Sequence, residues 1–377
     1  MRIHRPLGLA ASLISLFAVF AIACSDDDGA SAPTEPAPTP EAGADVTQTQ
    51  EPDAAKEDAA KPAITVANVV AFDPAKGELP EALSYRDGFA YVSLAPTAVI
   101  EKVSIADGTR ATYATLPIEA SNFVLGSTFD AAGNLFVGVG ATNPSDAAGV
   151  AAAGIYEIGP SGGTATLFAS SASGLKFGNG LAFDAAGSLF VTDAAEGAIY
   201  KIPAEGAVGT AAVWKQDAAL TGDMAACPVN VAGFPIGANG IFVDADGVWV
   251  GNTDRGSLVK VAIEANGSAG AATTVVADCA NLEGLDGLRP DPRSPTTAFI
   301  GTNNPKNTLV HITRTGAVSV LHEASPPDLD GPADLVHIEG TASPWQLLVV
   351  NSAFPEAFAP PDAGLVPKPS LVKVALP

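Results

Sequence analysis

Apolar and polar residues alternate in short runs along most of the chain, and turn residues separate the runs. From residue 179 the sequence reads NGLAFDAAGSLFV, in which two apolar runs flank a segment that opens with Asp184 and closes with Gly187. Alternation over so few residues is typical of β-strands, and aspartate followed by glycine is typical of a tight turn. The stretch therefore predicts a β-hairpin that begins with the polar amide of Asn179.

The same hairpin recurs through the chain. LGSTFDAAGNLFV from residue 125 and NGIFVDADGVWV from residue 239 are close copies, and weaker copies begin at residues 81, 286 and 334. Each copy continues into a further apolar strand such as AIYKI or SLVKV, and the copies start 44 to 60 residues apart. Repeats of this length, with three or four short strands and almost no helical periodicity, are typical of propeller blades.

Six repeats predict an all-β fold, a six-bladed β-propeller with four-stranded blades. The apolar segment AITVANVVAF precedes the first repeat and has no repeat of its own. We expect it to supply the outer strand of the last blade and so to close the ring. A β-sandwich is the competing all-β fold, but it would not predict six copies of one hairpin.

The first residue of each repeat is a candidate functional position, because the innermost strands of a propeller line its central channel. Asn-Gly and Asp-Gly are ordinary turn dipeptides, and a single one is better explained by a turn than by a ligand. Their coincidence at equivalent repeat positions indicates a site. Five of the six residues of this predicted ring carry oxygen in their side chains: Glu81, Leu125, Asn179, Asn239, Asp286 and Asp334.

Carboxylates and amide carbonyls that converge from several strands suit a hard divalent cation. Calcium is favoured, with magnesium or manganese as alternatives. Zinc is disfavoured, because the histidines after the N-terminal segment have no ligand spacing and the cysteines form no cluster. The sequence also has no GxSxG nucleophile motif and no phosphate-binding loop.

The N-terminal segment predicts export. Residues 1–23 have a basic start and a short apolar run, as a signal peptide does, and the run leads through small residues into Cys24. This pattern indicates a bacterial lipoprotein in which Cys24 is lipidated; the alternative is an ordinary signal peptide. Residues 24–61 are rich in Pro, Ala and acidic residues and predict a disordered tether, so that the propeller spans residues 62–377.

The net charge and the cysteine content limit the partners and the covalent bonds that we expect. A formal net charge of -22 and a pI near 4.3 argue against nucleic acid and against anionic lipid headgroups as partners. Contact with the membrane is therefore expected through the N-terminal lipid alone. Cys227 and Cys279 remain once Cys24 is lipidated, and in an exported protein this pair favours a disulfide over two separate thiols. Ser25 after the lipidated residue favours the outer membrane, and a closed propeller favours a monomer.

The quoted motifs resemble a known family. GNGLAFDAAGSLFVTDAAEGAIYKI, PEALSYRDGFAYVSL before it and LDGL after it are similar to the gluconolactonase and senescence marker protein (regucalcin) family over residues 63–377. The resemblance implies that Glu81, Asn239 and Asp286 hold a divalent metal and that Asn179 faces the substrate. It also implies that Asp286 is the catalytic base and that the reaction is lactone or ester hydrolysis; Asp334 would be an additional ligand or substrate contact.

Two departures from the family pattern bear on the substrate. Residues 82–85 after Glu81 read ALSY, where the family has glycine, proline and then tryptophan. Lys176, Phe177 and Gly178 stand where the family has an arginine that reaches the sugar. These departures argue against a sugar lactone, and Phe177 predicts a less polar ligand.

Two functions fit the sequence. The first is an envelope-anchored, metal-dependent hydrolase of small lactones or esters. The second is a non-catalytic propeller scaffold that binds an envelope protein or a carbohydrate, which the long tether and the degenerate motifs favour. Retention of Glu81, Asn179, Asn239 and Asp286 favours the hydrolase, because a scaffold has no evident need for all four.

Overall fold

The computed structural model describes residues 63–143, 145–170, 172, 174–204, 211–227, 233–360 and 363–377. The predicted signal peptide, the predicted lipidation site Cys24 and the predicted tether over residues 24–61 lie outside the described residues. No helix in the described part of the chain is long and apolar enough to cross a membrane.

In these residues the strands form six sheets that are arranged as the blades of a propeller. The first blade contains β2 (Pro80–Arg86), β3 (Phe89–Leu94), β4 (Val99–Ser104), β5 (Arg110–Thr115) and β9 (Gly163–Thr164). The second contains β6 (Asn122–Phe129), β7 (Leu135–Ala141), β8 (Gly154–Ile158) and β10 (Thr166–Ser170). The third contains β11 (Gly178–Phe183), β12 (Leu189–Asp193), β13 (Ala198–Ile202) and β14 (Ala212–Gln216).

The other three blades follow the same order from the channel outward. The fourth contains β15 (Ala238–Asp244), β16 (Gly247–Asn252), β17 (Ser257–Ile263) and β18 (Ala269–Ala277). The fifth contains β19 (Leu285–Pro290), β20 (Ala298–Asn303), β21 (Thr308–Thr313) and β22 (Val318–Glu323). The sixth contains β23 (Pro332–His337), β24 (Trp345–Asn351), β25 (Ser370–Leu376) and, at its outer edge, β1 (Thr65–Ala71).

The predicted six-bladed propeller and its closure are confirmed. Strand β1 pairs antiparallel with β25, with Thr65 opposite Ala375 and Ala71 opposite Ser370, so the first strand of the fold completes the last blade. The first blade differs slightly from the prediction, because the two-residue strand β9 adds a parallel fifth strand beside β5.

Within the described residues, three short α-helices and two 3₁₀ turns lie in the connections. The helices are α1 (Ala147–Ala152), α2 (Cys279–Leu282) and α3 (Phe354–Ala357), and the 3₁₀ turns are Pro74–Lys76 and Asn304–Lys306. Helix α3 belongs to the long connection between β24 and β25, which lies at the end of the channel where the inner strands begin.

The hairpin turns form as the sequence predicts. The Oδ1 atom of Asp184 accepts a hydrogen bond from the backbone N–H of Ser188 at 2.8 Å, and Gly187 closes the turn at a φ of 81°. Asp130 binds the N–H of Asn134 at 2.7 Å in the same way. An L-residue with a side chain disfavours the positive φ, which explains the glycine.

The core lies between the blades. In the described residues each pair of neighbouring blades encloses one apolar cluster; between the third and fourth blades, for example, Phe190 and Ile199 pack on Ile241 and Val250. Inner and second strands are mostly buried, whereas outer strands such as β14 and β22 are largely exposed. The start of each inner strand is thereby held rigidly against both neighbouring blades.

Candidate functional site

The starts of the six inner strands enclose a narrow void in the channel. Glu81, Asn179, Asn239 and Asp286 line it together, and its volume is about 20 Å³. A cavity needs roughly 10–15 Å³ to hold one water molecule, so this void has room for a water molecule or an ion and not for an organic substrate. The structure thus brings together four of the residues that the sequence singled out.

These residues do not form turns. Asn179, Asn239 and Asp286 lie inside β11, β15 and β19, so the interpretation of the NG and DG pairs as turn dipeptides is wrong. Their glycines serve close packing between blades. A Cβ atom on Gly180 would stand 2.4 Å from the backbone oxygen of Asn239, and one on Gly240 would stand 2.1 Å from that of Asp286.

Each inner strand carries a β-bulge where it contributes to the void. In the third blade the pairing skips from Gly178 to Leu181, and in the fourth from Ala238 to Ile241. The other four blades show the same irregularity at the equivalent place. Bulges redirect side chains next to functional sites, and here they turn the first residues of the strands toward the channel axis.

The register corrects the predicted ring in the sixth blade. Pro332 pairs with Asn351 just as Ala238 pairs with Asn252, so Ala333 is the equivalent of Asn239. Asp334 lies one residue further along. Four other blades have glycine at that position, and the predicted alignment placed the carboxylate one residue too early because no glycine marks the bulge here.

Asp334 is already partnered within the protein. Its Oδ2 atom accepts hydrogen bonds from the backbone N–H of Leu83 in the first blade, at 3.1 Å, and from Nη2 of Arg289, at 3.1 Å. Its Oδ1 atom accepts one from the N–H of Leu335 at 2.8 Å. These contacts join the fifth, sixth and first blades, whereas the predicted substrate contact of Asp334 stays a prediction.

The acidic groups in the void repel one another. Burial, followed by repulsion from Asp286 and then from Asp334, raises the pKa of Glu81 well above its usual value. Burial and repulsion from Asp334 raise the pKa of Asp286 to about 8, although side-chain hydrogen bonds from Asn304 and Asn239 oppose the shift. Three carboxyl groups face one guanidinium, that of Arg289, so the site favours an additional proton or a cation.

Two atoms are suited to hold that cation. The Oε2 atom of Glu81 is buried and has no hydrogen-bond partner in the described part of the chain. The Nδ2 atom of Asn239 donates to Oγ1 of Thr253 at 2.9 Å, and no described residue donates to its carbonyl oxygen. Both oxygens and the carboxylate of Asp286 are hard ligands of the kind that calcium prefers.

The ligand set is small. Among the described residues, no three His, Cys, Asp or Glu side chains are grouped so as to hold a metal ion. A cation in this void would depend on the carboxylates of Glu81 and Asp286 together with the amide oxygen of Asn239. Such a set fits calcium or magnesium in its chemistry and excludes a nitrogen- or sulfur-ligated metal.

Arg289 is a site residue that the sequence analysis missed. It lines the void, and its Nη1 atom donates to the backbone oxygen of Leu288 at 3.0 Å. Simple alternation places residues 286 and 289 on opposite faces of a strand, but the bulge after Leu285 shifts the phase by one residue. Arg289 could therefore have been predicted to face the channel only if the bulge had been known.

A set of hydroxyl groups was also missed. In the first, third and fifth blades, a buried Ser or Thr of the second strand bonds the inner strand of its own blade and that of the next. The Oγ1 atom of Thr192 accepts from the N–H of Gly180 at 2.8 Å and donates to the backbone oxygen of Asn239 at 2.6 Å. The equivalent hydroxyls are those of Ser93 and Thr302.

Phe177 lies at the mouth and not in the void. Only 6% of it is exposed, and it packs with Leu125 and with Phe234, whose ring centroid is 5.7 Å away. Its backbone N–H and that of Lys176 donate to Oδ2 of Asp193, at 3.2 and 2.6 Å. The predicted ligand contact of Phe177 stays a prediction, and its position between the second and third blades gives this rim an apolar character.

More aromatic rings extend this apolar rim. Phe123 of the second blade stacks on Phe354 and Phe358 of the connection between β24 and β25, at centroid distances of 6.4 and 6.2 Å. Phe358 is 55% exposed. The connection from the sixth blade thus reaches past the first blade to the second, so the mouth has aromatic groups on one side and carboxylates below.

Cys227 and Cys279 form a disulfide with a Cα–Cα distance of 5.5 Å. The bond links the segment before β15 to the start of α2, which precedes β19. Asn239 and Asp286 are supplied by those two strands, so the disulfide braces the approaches to two adjacent inner strands.

The solved structures that share this fold include a gluconolactonase and a calcium-binding protein. A gluconolactonase from Xanthomonas campestris superimposes with a TM-score of 0.54 and 13% identity, covering 80% of this chain and 87% of that one. A calcium-binding regucalcin from Agrobacterium tumefaciens superimposes with a TM-score of 0.53 and 15% identity, covering 79% and 90%. The fold is that of the regucalcin and gluconolactonase propellers.

The solved structure of a binding protein also shares this fold. An auxiliary nutrient binding protein from Bacteroides thetaiotaomicron superimposes with a TM-score of 0.53 and 9% identity, covering 83% of this chain and 76% of that one. No protein-family model and no curated protein matches the sequence. At these identities the similarity establishes the fold, and the function must be argued from the site.

Proposed function

We propose that the protein is a divalent-metal-dependent hydrolase of lactones or related esters, anchored to the bacterial cell envelope. The observation that carries the proposal is the convergence of Glu81, Asn239 and Asp286 on one void with an excess of negative charge. Structural carboxylates are normally paired, and a buried unpaired set is more typical of a functional site.

Glu81, Asn239 and Asp286 are the residues that would hold the cation, with calcium the favoured ion. When bound, such an ion polarises a carbonyl group and stabilises the negative charge that develops on its oxygen. The three residues come from the first, fourth and fifth blades, and the bulges hold their side chains on the channel axis. The geometry of the site is therefore fixed by the packing of the blades.

Asp286 is the proposed general base. Its carboxylate would accept a proton from the water molecule that attacks the lactone or ester carbonyl, and ring opening or ester cleavage would yield an acid and a hydroxyl group. Without a cation, burial and repulsion from Asp334 raise the pKa of Asp286 to about 8; a bound cation would offset this shift and keep Asp286 ionised, so that its carboxylate can accept the proton. Asn179, on the inner strand of the third blade, also lines the void and would orient the substrate.

The mouth supports an apolar substrate. The void of about 20 Å³ has room for the ion alone, so the lactone or ester has to lie above it. Phe177 and Phe123 pack near that end of the channel, and Phe358, which stacks on Phe123, is 55% exposed there. We therefore expect an acyl- or aryl-substituted lactone or ester in preference to a sugar lactone.

The second candidate is a non-catalytic binding protein of the envelope. The small void favours it, and so does the shared fold of the nutrient binding protein described above. In this case a bound cation would stabilise the channel, and the mouth would present its loops to a carbohydrate or to an envelope protein.

The proposed location follows from the N-terminal sequence. Lipidation of Cys24 would hold the propeller at the outer membrane through residues 24–61, as a monomer with no other contact to lipid. A net charge of -22 agrees with this, because it disfavours binding to anionic surfaces.

The test is hydrolysis by residues 62–377 of a panel of sugar lactones, acyl lactones and aryl esters, with calcium, magnesium, manganese or a chelator. The critical variant is Asp286→Asn, and the matched control is Asp130→Asn in a hairpin turn. We expect turnover of acyl or aryl substrates that needs the metal, falls by about 10²-fold or more in Asp286→Asn and persists in the control.

Absence of turnover on every substrate would reject the hydrolase. If calcium then raised only the melting temperature, the non-catalytic binding protein would be the better description. Turnover that survives chelation and the Asp286→Asn change would place the chemistry elsewhere in the molecule.

A further inference from the structure

The channel widens beyond the void into a second cavity of about 360 Å³. An engineered cavity of roughly 150 Å³ is large enough to bind benzene, so this one has room for an organic molecule. It lies toward the ends of the inner strands, away from the aromatic rim at the mouth. The residues that line it include Tyr85, Phe129, Phe183, Ile241 and Val336.

The lining is mostly apolar, with the hydroxyl groups of Ser84, Ser127 and Thr128 and one charged side chain. Each inner strand places one side chain at an equivalent register position, three residues after the ring position that Asn239 occupies in the fourth blade. All six of these residues line the cavity: Ser84, Thr128, Ala182, Phe242, Arg289 and Val336. No Asp or Glu is among the described residues that line it. Arg289 is thus a single cationic group at one end of an apolar chamber.

The guanidinium of Arg289 retains hydrogen-bonding capacity. Of its five N–H groups, one donates to the backbone oxygen of Leu288 and one to Asp334, and no other described residue accepts from it. Its side chain is 24% exposed, toward the channel. A guanidinium fork can bind a second carboxylate beside the first.

We propose that this chamber binds an amphipathic monocarboxylic acid, with the carboxylate on Arg289 and the aliphatic or aryl body among the aromatic side chains. Burial of the apolar body supplies the affinity, and the charge-assisted hydrogen bonds fix the orientation. The chamber shares Arg289 with the void that Glu81 and Asp286 line but extends from it toward the ends of the inner strands, and the inference does not depend on hydrolase activity.

The probe is sodium octanoate, compared with octanol and octylammonium at equal chain length, by isothermal titration calorimetry on residues 62–377. We expect octanoate to bind most tightly and octylammonium not to bind. Arg289→Met should weaken octanoate by about tenfold or more and leave octanol nearly unchanged, because a hydrogen bond to a charged group is worth roughly one factor of ten or above.

Four further variants make the test decisive. Arg289→Met combined with Asp334→Asn avoids an unpaired carboxylate if the single variant does not fold. Ala182→Phe fills the chamber and should abolish binding of both octanoate and octanol, whereas Arg255→Met, which removes a half-buried arginine outside the chamber, should change neither. Asp286→Asn should keep octanoate binding even if it abolishes turnover, which separates this proposal from the proposed function.

The proposal is overturned if octanoate does not bind, or if octanol and octylammonium bind as tightly as octanoate. It is equally overturned if neither Arg289→Met nor its combination with Asp334→Asn weakens octanoate binding, or if Ala182→Phe leaves that binding intact. Competition between octanoate and calcium at a single site would also contradict it.

Discussion

At the scale of single residues, the site depends on hydroxyl groups that take no part in the proposed chemistry. The side chains of Ser93, Thr192 and Thr302 join the first blade to the second, the third to the fourth and the fifth to the sixth. At the equivalent positions of the intervening blades stand Gly138, Gly251 and Val350. At this strand position the hydroxyl bridges therefore alternate around the ring, and each fixes the backbone beside one position of the void.

Thr192→Val tests such a bridge. Valine keeps the shape but leaves the buried N–H of Gly180 and the backbone oxygen of Asn239 without their partner. We expect the free energy of unfolding to fall by about 1–3 kcal/mol, measured by urea denaturation. Thr315→Val, in an exposed turn, is the control and should change it by less than about 0.5 kcal/mol. Equal effects in both variants would show that the bridge contributes nothing specific.

Sequence and structure differ most at this scale, and the bulge is the reason. The repeat period and the turn residues predicted the blades, and four ring residues were placed together, because these features are local and recur. The position of the bulge is marked by glycine in four blades but not in the sixth, so Asp334 was taken for Ala333. Arg289 was missed because the bulge after Leu285 shifts the alternation of side chains by one residue. Thr192 was missed because nothing in its local sequence distinguishes it from an ordinary strand residue.

At the scale of elements, the inner strands are held by blade packing while the connections at the mouth need separate support. The disulfide between Cys227 and Cys279 closes a loop with a sequence separation of 52 residues, which contains the whole of the fourth blade. Neither cysteine lines the void. Its contribution should therefore appear in stability more than in the geometry of the ring.

The double variant Cys227→Ser/Cys279→Ser measures this contribution. Closing a loop of this length lowers the entropy of the unfolded chain, and the expected loss of unfolding free energy is about 2–4 kcal/mol. Chemical denaturation of both proteins, with and without reductant, checks the value. Reductant should destabilise the wild type and leave the variant unchanged; an unaffected wild type would mean that the bond carries no stability.

At the scale of the whole molecule, the chain combines a net charge of -22 with acidic groups buried along the channel and beside it. Burial raises the pKa of Asp330 to about 7, and its neighbour Glu356 adds to the shift, just as burial and Asp334 raise that of Asp286 to about 8. The folded state therefore retains protons that the unfolded chain, with aspartate pKa values near 3.9, has already lost.

We accordingly expect the metal-free protein to lose stability as the pH rises from about 4 to about 8. In this window the folded state binds more protons than the unfolded state, so the free energy of unfolding falls with increasing pH. Urea denaturation in chelator at a series of pH values measures the slope. Asp286→Asn and Asp330→Asn should each flatten it, whereas Asp107→Asn on the surface should not; a slope of opposite sign would contradict the assignment.

The pairing of β1 with β25 makes the two ends of the fold neighbours in space, since Thr65 lies opposite Ala375. The order in which the blades occur along the chain is consequently not required by the architecture. A circular permutant that joins these ends through a short linker and opens the chain at Gly267, in the hairpin between β17 and β18 of the fourth blade, would preserve the strand pairing of every blade. Such a molecule would be sealed at the fourth blade instead of the sixth, with the same channel at its centre.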